Sequence, residues 1–197
     1  MKKMTNLSQV STFNDNLKTL HDTSYDEDND QYMTTSAFPA IDFDDVKLSY
    51  VLSNSTISSA NMKSNDALII LDSTKGKFLF IEFKNGNIQS NHKKEEIRCK
   101  IAESLLIFND IINETLTFDR NSVNYILVYN KGNNPKFQNQ RTSSLTKIAT
   151  SIGATANMTY LINGFDRYRA YFHDIKTINE TEFSVIVNQL QTNTYNF

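Results

Sequence analysis

Asp66, Glu82 and Lys84 have the types and spacing to act together on a phosphodiester. In such a hydrolysis the attacking water, the phosphate and the leaving oxygen all carry or develop negative charge. Proteins answer with hard cations held on carboxylates and a lysine that orients or activates the water. Glu82 and Lys84 are separated by Phe83, and strand residues two apart share a face. Ala67-Leu68-Ile69-Ile70-Leu71 and Phe78-Leu79-Phe80-Ile81-Glu82-Phe83 are β-branched and aromatic runs on either side of Asp72-Ser73-Thr74-Lys75-Gly76-Lys77, which predicts a β-hairpin. With a turn from Ser73 to Lys77, Asp72 faces Phe78 and Asp66 lies opposite Lys84. Directly opposed residues share a face, with Cβ atoms roughly 5 Å apart. The three side chains then converge at the open end of the hairpin, and only a register slip of one residue would separate them. Asp72, at the turn and roughly 20 Å from Asp66 at ~3.3 Å per residue, is not expected to be a ligand. A competing reading makes Asp66 and Lys84 a cross-strand ion pair at a sheet edge. Acid-x-Lys recurs at Asp45-Val46-Lys47 and Asp174-Ile175-Lys176. Only Glu82-Phe83-Lys84 ends a hydrophobic strand whose neighbour begins with an aspartate.

That arrangement, Asn65-Asp66-Ala67-Leu68-Ile69-Ile70 followed by Phe80-Ile81-Glu82-Phe83-Lys84, resembles the core of the PD-(D/E)xK nuclease superfamily. Phe38-Pro39-Ala40-Ile41-Asp42 and Glu82-Phe83-Lys84-Asn85-Gly86 are also similar to bacterial and phage proteins of that fold. The resemblance implies a restriction-endonuclease-like, three-layer α/β/α domain with a central mixed sheet. It makes Asp66 and Glu82 the ligands of Mg2+, with Mn2+ able to substitute, and Lys84 the lysine that handles the attacking water. It implies a nucleic-acid phosphodiesterase, acting on DNA before RNA, in bacterial or phage defence. Two departures stand out. Asn65 occupies the position of the eponymous proline, and the first helix offers Asp42, Asp44 or Asp45 where many members place a glutamate. The rival expectation is a nuclease-fold regulatory or immunity protein without catalysis, acting through protein contacts. A homodimer that completes the cleft is a further alternative.

The surrounding elements must position these groups. Residues 1–35 are polar and acidic, with Val10, Phe13, Leu17 and Leu20 at helical spacing before the acidic stretch from Tyr25 to Asp30. The expectation is a short helix and a loose loop, followed by one α/β domain over residues 36–197. Asp42 or Asp44 could cap a helix carrying Val46, Leu48, Val51 and Leu52. Ile97, Ile101, Leu105, Phe108 and Ile112 mark one face of a long helix, and Val123 to Tyr129 reads as a strand. Leu145 to Ile152 suggests a helix, and Thr159 to Ile162 and Tyr168 to Ile178 are strand candidates. Asn179-Glu180-Thr181-Glu182 resembles a capping box opening a final helix.

Charge is distributed unevenly. Residues 1–50 hold four Lys/Arg against nine Asp/Glu, and residues 51–100 hold eight against five. The net charge of −2 argues against a protein that coats nucleic acid through bulk electrostatics. Lys93, Lys94, Arg98 and Lys100 could instead meet a phosphate backbone locally, Arg98 best of all because a guanidinium binds bidentately. Equally, they could be a solvated helix face paired with Glu95, Glu96 and Glu103. His21, His92 and His173 lack metal-ligand spacing. Tyr160, Tyr168, Tyr171 and Phe172 read as packing residues before base-stacking ones. Phosphate-binding glycine loops, nucleophile elbows and dinucleotide fingerprints are not found in the sequence. The single cysteine, Cys99, cannot form an internal disulfide, and no apolar run follows Met1-Lys2-Lys3. With no stretch of roughly 18 apolar residues to span a bilayer, a cytoplasmic protein without membrane contact is expected.

Overall fold

The computed structural model describes residues 11–54, 62–137 and 162–195. Six strands form one mixed sheet in the order β1-β4-β5-β6-β7-β8: β1 (Leu17–Thr19), β4 (Pro39–Asp42), β5 (Ala67–Asp72), β6 (Lys77–Lys84), β7 (Val123–Tyr129) and β8 (Asp174–Asn179). The first four pair antiparallel, and β6, β7 and β8 run parallel. A separate ribbon pairs β2 (Tyr25–Asp26) with β3 (Gln31–Tyr32).

Helices cover both faces of the sheet. On one face Leu68, Phe78, Phe80 and Tyr125 pack with Phe43 and Val46 of α3 (Phe43–Ser53) and with Ile97, Ile101, Leu105 and Phe108 of α4 (Asn91–Ile112). On the other, Ile69, Leu79, Ile81, Phe83 and Val128 pack with Leu20 of α2 (Leu20–Thr23) and with Phe183, Val187 and Leu190 of α6 (Glu180–Gln191). The alternation along β5 and β6 therefore sorts residues between two cores, which is why both strands read as continuously apolar. All seven residues of β7 are buried, as expected of a strand flanked by parallel neighbours and covered on both sides. Short α1 (Ser11–Asn14) and α5 (Leu116–Ser122) complete the set of α-helices used below. Among the described residues, no helix is long and apolar enough to cross a membrane.

Capping follows the sequence closely. Asp42 caps α3 by accepting from the Asp45 N–H, and Asn179 and Glu182 form a reciprocal capping box at α6. Three local expectations are corrected. Leu17 is not on a helix face but in edge strand β1, where it is 60% exposed. The acidic stretch is not loose: Asp26 accepts from the N–H groups of Asp28 and Asn29, and Tyr25 donates to Asp30. Tyr168 to Tyr171 is not strand. Phe165–Ala170 forms a 3-10 helix, whose spacing of three brings Phe165 and Tyr168 edge to face, with Phe165 also edge to face on Tyr125. The expected helix at Leu145 to Ile152 lies outside the described residues, as does Tyr160.

The hairpin register differs from expectation by two residues. Ala67 pairs with Ile81 and Leu68 with Phe80, while Asp72 pairs with Lys77 across a bulge after Ile70. Two local features account for this. The Asp72 carboxylate accepts from the Thr74 hydroxyl and from the N–H groups of Thr74 and Lys75. Gly76 takes a left-handed φ of 61°, which a glycine adopts without a Cβ penalty. The turn is thus one residue shorter than expected, and the bulge absorbs one more. Because the total slip is even, every side chain keeps its face.

Candidate active site

Residue Asp66 immediately precedes β5, and Glu82 and Lys84 close β6. The observed register carries Asp66 toward Glu82 rather than Lys84. The Phe83 N–H donates to Asp66 Oδ2 at 2.6 Å, which fixes the carboxylate against the neighbouring strand. The preceding residue is held from the helix layer, where the Asn65 N–H donates to Ser104 Oγ at 2.7 Å.

A fourth group completes the cluster. Lys100 of α4 places Nζ 2.8 Å from Asp66 Oδ1 and 2.8 Å from Glu82 Oε1. Lys84 Nζ reaches the same Glu82 oxygen at 2.7 Å. Two carboxylates and two ammonium groups thus form a compact, formally neutral set. Glu82 is 0% exposed, enclosed at the end of the hairpin away from its turn. Strand β6 is interior to the sheet, and α4 crosses directly over its end. Burying a charge costs several kcal/mol unless it is paired, so the two lysines are what allow an ionised Glu82 to exist here.

The proton equilibria reflect this balance. Burial raises the Glu82 carboxyl above the usual range, and the adjoining Asp66 charge adds to it, against the pull of Lys100 and Lys84. Burial works against the charged form of Lys100, but Asp66 and Glu82 outweigh it and hold the ammonium well above its ordinary range. Lys84 behaves likewise, burial being overcome chiefly by Glu82. Beneath the cluster, Tyr125 has a fully buried hydroxyl with no hydrogen-bond partner among the described residues. Burial, then the charges of Glu82 and Asp66, push its ionisation well above the usual phenol range.

Of the three acidic candidates on the first helix, Asp42 and Asp45 both pair with Lys18, at 2.9 and 2.7 Å. Asp44 instead accepts from Ser64 and from Lys47. Burial pushes the Asp44 carboxyl upward, yet Ser64, Lys47 and the charge of Lys100 together hold it below the usual range. Glu96, one turn before Lys100, behaves in the same way, with Lys84, Lys93 and Lys100 overcoming the effect of burial.

The cluster opens on a cleft of about 360 Å³ whose lining includes Asp66, Lys84, Lys93 and Lys100, with Asp26 and Glu27 of the acidic ribbon across from them. Of the four basic residues singled out on α4, Lys93 and Lys100 therefore line the cleft. Arg98 pairs with Glu95 and donates to the Asn163 carbonyl at 3.1 Å, and Lys94 is not part of the lining. Sequence reasoning assigned Lys100 to the nucleic acid and missed its place among the carboxylates. The available signal was Lys100 itself, flanked by Cys99 and Ile101 and four residues before Ser104, on the apolar side of an otherwise charged helix start.

The donor chemistry suits a hard divalent ion. Asp66 and Glu82 present oxygens to one cationic position, and Glu82 Oε2 is buried without a hydrogen-bond partner among the described residues. Among the described residues, no group of three or more His, Cys, Asp or Glu is arranged to hold a metal. Such a sparse set is unsuited to a closed all-protein cage, but it matches Mg2+, which keeps several waters and is commonly held by one or two carboxylates. Asp72 is at the hairpin turn, remote from this set, with its carboxyl held down at about 2 by the Thr74 hydroxyl and neighbouring backbone N–H groups. No protein-family model, curated protein or solved structure matches the chain.

Proposed function

We propose that this protein is a metal-dependent nucleic-acid phosphodiesterase with a restriction-endonuclease-like fold, acting on DNA. The observation that carries the reading is the convergence of the Asp66 and Glu82 carboxylates on a single cationic position, beside Lys84 and open to the cleft. In this reading Asp66 and Glu82 hold Mg2+, or Mn2+ in its place, and Lys84 positions the attacking water. The bound ion would supply charge neutralisation at the phosphate and acidify water. Lys93, at the cleft wall, is suited to a backbone phosphate. The Phe83 N–H bond to Asp66 and the Asn65 N–H bond to Ser104 keep the carboxylate aimed before any ligand arrives.

A second reading, a nuclease-fold binding protein without catalysis, draws on one observation: Asp26 and Glu27 face the cleft, where they oppose an approaching phosphate. The two separate cleanly in a cleavage assay of purified protein on single- and double-stranded DNA and RNA with Mg2+, Mn2+ or EDTA. Cleavage that needs a divalent ion and is lost with EDTA supports the enzyme. Absence of cleavage on all four substrates with either metal removes it.

A further inference from the structure

We propose that the Lys100 ammonium is an internal counter-ion standing in the divalent-metal position, and that metal binds only as Lys100 withdraws into the cleft. The inference rests on the metal-dependent reading above and adds a device that controls loading of the same site.

Geometry carries the argument. Lys100 Nζ is 2.8 Å from one oxygen of each proposed ligand. A divalent ion held by Asp66 and Glu82 would compete for the space now taken by that ammonium, and two like charges so close in a poorly screened interior repel strongly. The ammonium also has somewhere to go. Lys100 lines the cleft, and its flexible four-carbon stem lets the charge move toward water while the stem stays packed. Lys84 does not duplicate this role: it contacts Glu82, whereas Lys100 alone of the two is paired with both carboxylates.

Two consequences follow from the charge count. Without metal the four groups sum to zero, so the cluster itself offers little attraction to a phosphate. With metal bound and Lys100 displaced, the cleft gains two positive charges and an ammonium near Lys93. Loading the site and making the cleft attractive to nucleic acid become one event.

The test is calorimetric titration of Mn2+ into wild type, Lys100→Met and Asp66→Asn. Lys100→Met keeps the length of the stem and removes the charge. The expected result is Mn2+ binding at least about tenfold tighter in Lys100→Met than in wild type, a gain of about 1.4 kcal/mol, with binding strongly weakened in Asp66→Asn. Equal or weaker binding in Lys100→Met, with wild type still binding through Asp66, overturns the inference and leaves the metal-dependent reading standing. Absence of Mn2+ binding in both wild type and Lys100→Met overturns both. Should Lys100→Met fail to fold, lysine acetylation of wild type followed by mass spectrometry decides. Lys100 should be modified several-fold faster at saturating Mg2+ than in EDTA, with exposed Lys75 as the internal reference. An unchanged Lys100 rate at Mg2+ concentrations that calorimetry shows to be saturating overturns the inference.

Discussion

Glu82 and Asp66 carry the same charge and share Lys100, yet their surroundings differ enough that their loss should differ. Asp66 also accepts the Phe83 N–H and borders the cleft, whereas Glu82 is completely enclosed. Asp66→Asn should keep most of these contacts and lower metal affinity, with partial rescue of cleavage by high Mn2+. Glu82→Gln leaves two ammonium groups beside one carboxylate in the interior and should cost about 3 kcal/mol or more in stability. Lys84→Ala keeps both carboxylates paired with Lys100, so metal should still bind while cleavage falls by about 10²–10⁴-fold without rescue by added metal. Calorimetry, urea denaturation and a cleavage time course on the three variants check this set. Full activity in Lys84→Ala would exclude its role in handling the water.

At the scale of elements, α4 and the hairpin form one unit. Phe108 contacts the rings of Phe13, Phe78 and Phe80, at centroid separations of 6.2, 5.0 and 5.5 Å. Phe108→Ala should therefore cost about 3–5 kcal/mol and loosen α4, weakening the Lys100 contacts although the residue lies two turns from them. Asn179→Ala, which removes the cap of α6 on the opposite face, should cost about 1 kcal/mol and leave the site intact. Urea midpoints, with Mn2+ titration at each, separate the two outcomes. The hairpin, β7, α4 and both capped helices are legible in the sequence because each has an uninterrupted period or a local cap. Strand β4 is not, because Pro39–Asp42 is four residues long and pairs with β5 only through Ile41 and Asp42. The site is legible by parity, which survives an even slip. The register is not, since a bulge leaves no mark in the residue types. Nor is Lys100, whose partners are more than a dozen residues away in the chain.

For the molecule as a whole, Asp119 in α5 introduces a pH dependence outside the site. Its side chain is buried, with Oδ2 accepting from Asn109 at 2.6 Å and Oδ1 unpartnered among the described residues, and burial pushes its carboxyl up from 3.8 to about 6. A carboxyl raised on folding makes the native state bind more protons than the unfolded chain between those values. Its destabilising effect is therefore absent below the lower value, grows as pH rises through the interval and is complete above the upper one. Asp119→Asn removes that effect. From pH 4 to pH 7, wild type should lose about 2 kcal/mol relative to the variant, and parallel pH profiles in urea denaturation would rule this out. The mixed strand order described above also has a kinetic consequence. The β5–β6 hairpin closes across residues 73–76, whereas β7 joins β6 only after the crossover of residues 85–122, and β8 joins β7 only after residues 130–173. Short closures precede long ones, so the hairpin belongs to the folding nucleus and β8 docks late. In stopped-flow experiments Leu68→Ala should mainly slow refolding and Ile175→Val mainly speed unfolding. Closing the hairpin makes the Asp66 and Glu82 carboxylates neighbours, and their like charges are offset from the helix layer only once α4 packs against it, so the hairpin and α4 should acquire native structure together.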